Sequence, residues 1–232
     1  GMCVANPNLK GKVVVVTGTT AGIGRHTALR LASHGAIVVL ADRDSSRASA
    51  LVSLINSGKY SGSALHVPCD LSDLSSVAAC AKAITDKYPV IHMLINNAGV
   101  MMCPLMSTKQ GFELQYGTNH LGHFLLTLLL LPSLLLNSTA HARVISLSST
   151  GHVFAHPEEL SKALMANEFD GKTPETTYGS VKAYGRSKLA NILFIKELQR
   201  RYSSLGLNCF AVHPGSVDTD LGRHFNVVLR WI

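Results

Sequence analysis

The sequence predicts an α/β fold, a doubly wound parallel sheet with helices on both faces. Three observations predict it. Short β-branched runs alternate with longer helical patterns along most of the chain, and repeated β-α-β connections long enough for a helix require parallel strands. The first run, residues 13–16, is continuously apolar, as a strand covered on both faces must be. A glycine-rich turn, Thr17-Gly18-Thr19-Thr20-Ala21-Gly22-Ile23-Gly24, joins that run to the first helical pattern.

The elements follow in order. A helix over 22–34 leads to a second strand over 36–40, and a helix over 43–56 to a third strand over 64–67. Residues 72–87 read as a helix capped by Ser72 or Asp73, before a fourth strand over 91–95. A long helical region then covers 109–136, with Pro132 bending its end. The fifth strand is 143–147, a strong helix covers 184–202, and the sixth strand is 207–212. Residues 152–182 break the alternation. They are polar, hold Pro157, Gly171, Pro174 and Gly179, and read as a partly ordered insertion over the rim of the site. No repeat or low-complexity linker divides the 232 residues, so they form one domain.

Composition narrows the function. With 47% hydrophobic and 15% charged residues, the chain is globular and has a real core. The net charge of +7 comes from scattered Lys and Arg, with no run or aromatic-interleaved stripe, which argues against nucleic acid as a partner. Five cysteines without a CxxC pair indicate reduced thiols and no zinc site. His120 and His123 have no companions at metal-ligand spacing, so no metal is expected. The N-terminus lacks a signal-peptide pattern. The most apolar stretch, 124–136, falls short of the ~20 residues that span a bilayer. The expectation is a cytoplasmic protein without a transmembrane segment.

The turn at 17–24 carries the first chemistry. Glycines there let the backbone turn sharply, approach a pyrophosphate and pack helix against strand, and the helix N-terminus offers N–H groups to phosphates. Its spacing is Gly-x-x-x-Gly-x-Gly. Further motifs come in order: Asp70-Leu71, Asn96-Asn97-Ala98-Gly99, Tyr184-x-x-x-Lys188 and Pro214-Gly215. On these residues the chain resembles the short-chain dehydrogenases, a Rossmann-type family, over about residues 10–221. Asn119-His120-Leu121-Gly122-His123-Phe124, the run from Ser187 to Leu193, and His213-Pro214-Gly215 resemble its retinol-dehydrogenase-like branch.

The resemblance implies an NAD(P)-dependent oxidoreductase that moves a hydride between nicotinamide and a carbonyl or alcohol, with a lipophilic substrate such as a retinoid or steroid. It assigns dinucleotide contacts to Gly18, Thr20, Gly22, Ile23, Gly24, Asp70, Leu71, Asn97, Ala98, Gly99, Pro214 and Gly215, and a carboxamide contact to Thr219. It also implies a homodimer or homotetramer, paired through the long helix and the Tyr184 helix. Cofactor choice rests on Asp42 and Arg43 at the end of the second strand. A carboxylate accepts hydrogen bonds from the adenosine ribose hydroxyls and repels a 2′-phosphate. NAD is therefore expected over NADP, although Arg43 can swing to a phosphate. A helix N-cap is the other reading of Asp42, with Asp44 and Ser45 as competing caps.

Four residues complete the implied catalytic set: Asn119, Ser149, Tyr184 and Lys188. Tyr184 and Lys188, four apart, share one helical face. A free tyrosine has a pKa near 10, too high for an efficient base at neutral pH, and a nearby ammonium and the oxidised nicotinamide lower that value. Tyr178 and Lys182 repeat the spacing. The choice falls on Tyr184 because Ser187 precedes its lysine and an unbroken amphipathic helix follows, whereas Gly179 disfavours a helix at Tyr178, which reads as a rim residue. Ser149 is assigned to the substrate oxygen and Ser148 to the cofactor pocket, an assignment that a one-residue slip would exchange. Asn119 is expected to hold a water linking Lys188 to solvent, and residues 101–102 supply adaptable Met side chains for an apolar substrate or for the core. The chain stops soon after the sixth strand, so the usual seventh strand and one wall of the substrate pocket are expected to be missing. That keeps open a dinucleotide-binding regulatory or interaction protein with weak or no turnover, while the apolar stretch and the basic charge keep open a lipid- or membrane-associated binder.

Overall fold

The computed structural model describes residues 7–136, 142–165, 169–170, 178–215 and 217. Six parallel strands form one sheet in the order β3-β2-β1-β4-β5-β6, with β1 Val13–Thr17, β2 Ile37–Asp42, β3 Ser63–Pro68, β4 Met93–Asn96, β5 Arg143–Leu147 and β6 Asn208–Val212. The order reverses between β1 and β4, so the strand ends on either side of that point diverge and leave a crevice at their carboxyl edge.

The alternation of β1 builds both cores. Val14 and Val16 pack with Ala28 and Ala32 of α1 (Gly22–Ser33) and Leu51 and Ile55 of α2 (Ser45–Ile55). Val13 and Val15 face the other layer, with Val77 and Ile84 of α3 (Leu74–Lys87), Leu126 and Leu130 farther along the chain, and Ile195. All five β1 residues are buried, as the continuous apolar run requires.

The long helical region starts later than the sequence suggests. Residues 108–111 form a turn closed by Gly111 N–H on the Thr108 carbonyl. The carboxylate of Glu113 then caps the helix by accepting from the N–H groups of Gln115 and Tyr116. From there α4 (Leu114–Tyr116) passes through a π-turn (Gly117–Leu121) into α5 (Gly122–Leu135). Pro132 lies inside α5 rather than ending it. The carbonyl it leaves unpaired belongs to Leu128, which faces solvent. The combined stretch Leu114–Leu135 is 22 residues and, by length and composition, long and apolar enough to cross a membrane. This corrects the argument from residues 124–136 alone. More than half of the stretch is buried, with α5 against α3 and Leu126 and Leu130 in the sheet's core.

The segment 152–182 is more ordered than expected at its two ends. A 3-10 turn (Thr150–Phe154) and α6 (Pro157–Met165) occupy its first part, and 166–168 and 171–177 lie outside the described residues. The next helix, α7 (Ser180–Tyr202), begins four residues before Tyr184, because Gly179 sits extended at the N-cap and starts the helix instead of interrupting it. β6 is an outer strand whose Phe210 and Val212 are exposed among the described residues.

Candidate active site

The turn after β1 is held by close backbone approach. Gly18 has φ +70°, and a methyl there would meet the Ala98 Cα at 2.8 Å. A methyl on Gly24 would stand 2.1 Å from the Gly18 carbonyl oxygen. Only glycine fits both positions. No side chain caps α1, and its first turn carries no acid, so the helix N-terminus at Gly22 and Ile23 presents N–H groups and positive potential beside the turn. That is the local condition for receiving a pyrophosphate.

Asn97 and Ala98 reach this turn from the end of β4. Asn97 Nδ2 donates to the carbonyls of Thr17 (2.8 Å) and Gly18 (3.0 Å). Its side chain therefore holds the turn. The backbone N–H groups of Asn97 and Ala98 both donate to Thr17 Oγ1 at 3.0 Å.

Asp42 ends β2 opposite the same turn. Its Oδ1 accepts from Thr19 N–H at 2.7 Å, and its Oδ2 accepts from the Thr19 hydroxyl. Burial pushes its pKa up, while the Thr19 hydrogen bonds oppose that. Asp42 is not a helix cap, since Asp44 caps α2 by accepting from Arg47 N–H. Arg43 is exposed. Thr20 is partly buried within the turn. Asp70 Oδ1 accepts from the Ser72 N–H and hydroxyl, and Leu71 packs under Gly122 at the start of α5. Of the two candidate caps for α3, Asp73 is the one used.

The second group assembles where β5, α7 and the π-turn meet. The Ser149 hydroxyl hydrogen-bonds Tyr184 and also accepts from Gly151 N–H at 3.1 Å. Ser148 is buried and donates to the Lys188 carbonyl at 3.0 Å, so it anchors α7. One turn on, the Lys188 ammonium donates to the Leu147 carbonyl at 3.0 Å and lies 5.6 Å from the Tyr184 ring centroid. Burial brings its pKa down to about 8. Burial raises that of Tyr184, against the Ser149 hydrogen bond. The expected lowering of the phenol by Lys188 is thus not expressed here, because the ammonium is turned to Leu147.

Asn119 sits within the π-turn with its amide fully engaged. Oδ1 accepts from Val100 N–H at 2.8 Å, while Nδ2 donates to the Val100 carbonyl (2.9 Å) and to Ser187 Oγ (3.0 Å). A methyl on Gly99 would come 3.1 Å from Asn119 Oδ1 and 3.7 Å from Lys188 Nζ, so the motif after β4 abuts this group. Pro214 and Gly215 follow β6, and Thr219 lies outside the described residues.

Tyr178 is half-buried, with its hydroxyl engaged. Its hydroxyl accepts from Gln115 Nε2 at 2.8 Å and donates to Glu113 Oε1 at 2.9 Å. Its apparent partner Lys182 pairs with Glu159 at 2.8 Å. The decoy pair therefore never meets, since Tyr178 precedes α7 while Lys182 lies in its first turn. Sequence reasoning missed Thr17 and His123 as organisers. Their signals were a hydroxyl ending β1 and a histidine four residues after Asn119. Among the described residues no group of three or more His, Cys, Asp or Glu is placed to hold a metal.

Residues 12–159 match the family model described as short chain dehydrogenase. Over all 232 residues the chain is 42% identical to retinol dehydrogenase 12 of Mus musculus, covering 70% of that protein. It is 43% identical over the same span to retinol dehydrogenase 11 of Homo sapiens, covering 69% of it. Among solved structures, a putative uncharacterized protein from Mycobacterium paratuberculosis superposes with TM-score 0.76 at 39% identity, over 94% of this chain and 73% of that one. The 3-ketoacyl-(acyl-carrier-protein) reductase from Brucella melitensis, solved with NADH, gives TM-score 0.70 at 25% identity, over 93% and 80%.

Proposed function

The chain belongs to the short-chain dehydrogenase family, and from that premise we propose that it is an NAD(P)-dependent oxidoreductase acting between CH–OH and C=O on retinoid-like, lipophilic substrates. One observation carries the reading. Ser149 and Tyr184 meet beside Gly151, Lys188 lies by the Tyr184 ring and abuts Gly99, and the segment 97–99 that holds Gly99 also packs on the glycine turn before an uncapped helix N-terminus suited to a dinucleotide.

When bound, the nicotinamide supplies or accepts the hydride at the carbinol carbon. In carbonyl reduction, Tyr184 gives its phenolic proton to the substrate oxygen while the Ser149 hydroxyl hydrogen-bonds that oxygen. In alcohol oxidation, the Tyr184 phenolate takes the hydroxyl proton. Lys188, whose ammonium lies 5.6 Å from the Tyr184 ring centroid, stabilises that phenolate when it turns from the Leu147 carbonyl toward the oxygen. Asn119 holds Val100 and Ser187, and through them the geometry of the lysine's surroundings.

Two further features support the finer reading. Val153 and Phe154, each 60% exposed, follow Ser149 closely and offer apolar surface at the mouth of the site. Asp42 favours NAD over NADP, because each carboxylate oxygen keeps acceptor capacity beyond its Thr19 bond and the charge opposes a 2′-phosphate. A dinucleotide-binding protein without turnover is not favoured, since the whole proton-handling group is in place. The test is turnover of retinoid, steroid and short aliphatic carbonyls with each cofactor. We expect lipophilic substrates to be preferred and kcat/KM to be higher with NAD. A preference for NADP of about tenfold or more, equal to ~1.4 kcal/mol, overturns the role given to Asp42.

A further inference from the structure

The segment after β4, residues 97–100, is clamped from two sides. In front, Thr17 Oγ1 accepts from the N–H groups of Asn97 and Ala98, each at 3.0 Å. Behind, the Asn119 amide pairs with both the N–H (2.8 Å) and the carbonyl (2.9 Å) of Val100. One imidazole joins the two clamps. His123 Nδ1 lies 2.9 Å from the Asn119 carbonyl oxygen, and its Nε2 lies 2.9 Å from Thr17 Oγ1.

The proton positions follow from the partners. A carbonyl only accepts, so Nδ1 carries the hydrogen, and in a neutral ring Nε2 is then an acceptor. Burial keeps the ring neutral by lowering its pKa to about 4. The single proton of Thr17 has two acceptors in reach, Nε2 at 2.9 Å and the Ile95 carbonyl at 3.5 Å, and the shorter bond to Nε2 turns the hydroxyl lone pairs toward the two N–H groups. With a ring carrying both protons, Nε2–H would point at an oxygen whose lone pairs are already taken. The arrangement with the shortest bonds is the one that His123 sets.

We propose that His123 is a positioning residue that, fixed as the Nδ1–H tautomer, locks residues 97–100 between the dinucleotide turn and the π-turn of Asn119. It touches neither cofactor nor substrate. Its effect passes through Thr17 to Asn97, whose amide holds the carbonyls of Thr17 and Gly18. On the other side it passes through Asn119 to Val100, next to the Gly99 that abuts Lys188. This inference rests on the dinucleotide reading above, and it adds a reason for the two halves of the site to respond together.

The experiment compares the whole protein with His123→Phe, Thr17→Val, the double variant and Thr17→Ser. Two quantities are measured below the unfolding temperature: hydrogen exchange at the Asn97, Ala98 and Val100 amides without ligand, and the Kd for NADH. His123→Phe and Thr17→Val are each expected to speed exchange at Asn97 and Ala98, and to weaken NADH by about tenfold. Because both break one chain of bonds, the double variant is expected to be no weaker than the worse single one. Thr17→Ser, which keeps the hydroxyl, restores protection and binding to within about threefold. In turnover, KM for the dinucleotide rises more than KM for the carbonyl. A histidine serving only as core filling predicts otherwise, with a lower Tm, unchanged exchange at these amides and additive losses; that result overturns the proposal. If the parent protein binds no dinucleotide, the cofactor reading fails, and the exchange data still decide on His123. Faster exchange in both single variants supports it, and unchanged exchange sinks it.

Discussion

The turn after β1 and the group at the end of β5 meet in one crevice but are built by different means. The turn depends on the absence of side chains. At Gly18 and Gly24 neighbouring backbone and Ala98 fill the space where a Cβ would go, so its shape is a packing result. The β5 group depends on the presence of particular side chains. Ser149 and Tyr184 are hydrogen-bonded, Lys188 and Asn119 are held by bonds to Leu147, Val100 and Ser187, and Tyr184 and Lys188 have pKa values displaced by burial. The difference teaches which perturbation each region notices. Added bulk damages the turn, and a lost proton-bearing atom damages the β5 group.

The largest expected effect separates chemistry from binding. Tyr184→Phe removes one oxygen and keeps the ring, so kcat is expected to fall by about a thousandfold, while the Kd for NADH stays within about threefold. Tyr178→Phe serves as the control. It cuts a hydrogen bond to the buried Glu113, lowers stability by about 1 kcal/mol, and leaves turnover largely intact. If Tyr178→Phe abolishes turnover and Tyr184→Phe does not, the two tyrosines have been assigned the wrong way round.

Gly24→Ala breaks the comparison from the other side. Its methyl meets a backbone carbonyl and the Asn97 amide at 2.4 Å, neither of which is the free end of a flexible side chain. The expected cost is on the order of 3 kcal/mol, read as a drop in Tm, with dinucleotide binding and turnover lost together. A variant that keeps its Tm and binds NADH normally would show that the turn can relax, against the packing account.

Why the two regions were unequally legible follows from the same contrast. The turn's requirement is local, three glycines between a strand and a helix, and the sequence displays it directly. The Tyr184 choice was also local, because Gly179 stands between the rival tyrosine and the helix. Ser149 and Ser148 differ by where each side chain bonds at the end of β5, and the partner of Ser148, the Lys188 carbonyl, lies 40 residues away in sequence. For the bonds from His123 to Thr17, 106 residues apart, and from Asn119 to Ser187, 68 apart, the sequence shows each residue but nothing that pairs them. The start of the long helix was misplaced for a related reason. Glu113 is one acidic residue among polar neighbours until the folded backbone aims its carboxylate at two N–H groups.

The smallest effect sharpens the contrast through acid stability. His120 and His123, on the helix that carries Asn119, are buried with pKa values lowered to about 4. Unfolded histidine titrates near 6.5. Between about 6.5 and 4 the unfolded chain holds protons that the folded chain lacks, so stability rises with pH there and is lost on acidification. Each histidine is expected to contribute a loss on the order of 1 to 2 kcal/mol between pH 7 and pH 5. Asp42, beside the turn, works in the opposite sense. Its raised pKa means that the folded state keeps a proton the unfolded state has released above 3.8, so its contribution to stability falls as pH rises through that interval. Lys188, lowered to about 8 from 10.5, adds a slope only in the alkaline window between those values, where stability rises with pH. Urea unfolding at pH 7 and pH 5 reads the balance, and His120→Gln should remove about half of the acid loss while leaving Thr17 and its partners in place. Equal stability at the two pH values would mean that both imidazoles take up protons within the fold, and the single-tautomer network around His123 could not then hold.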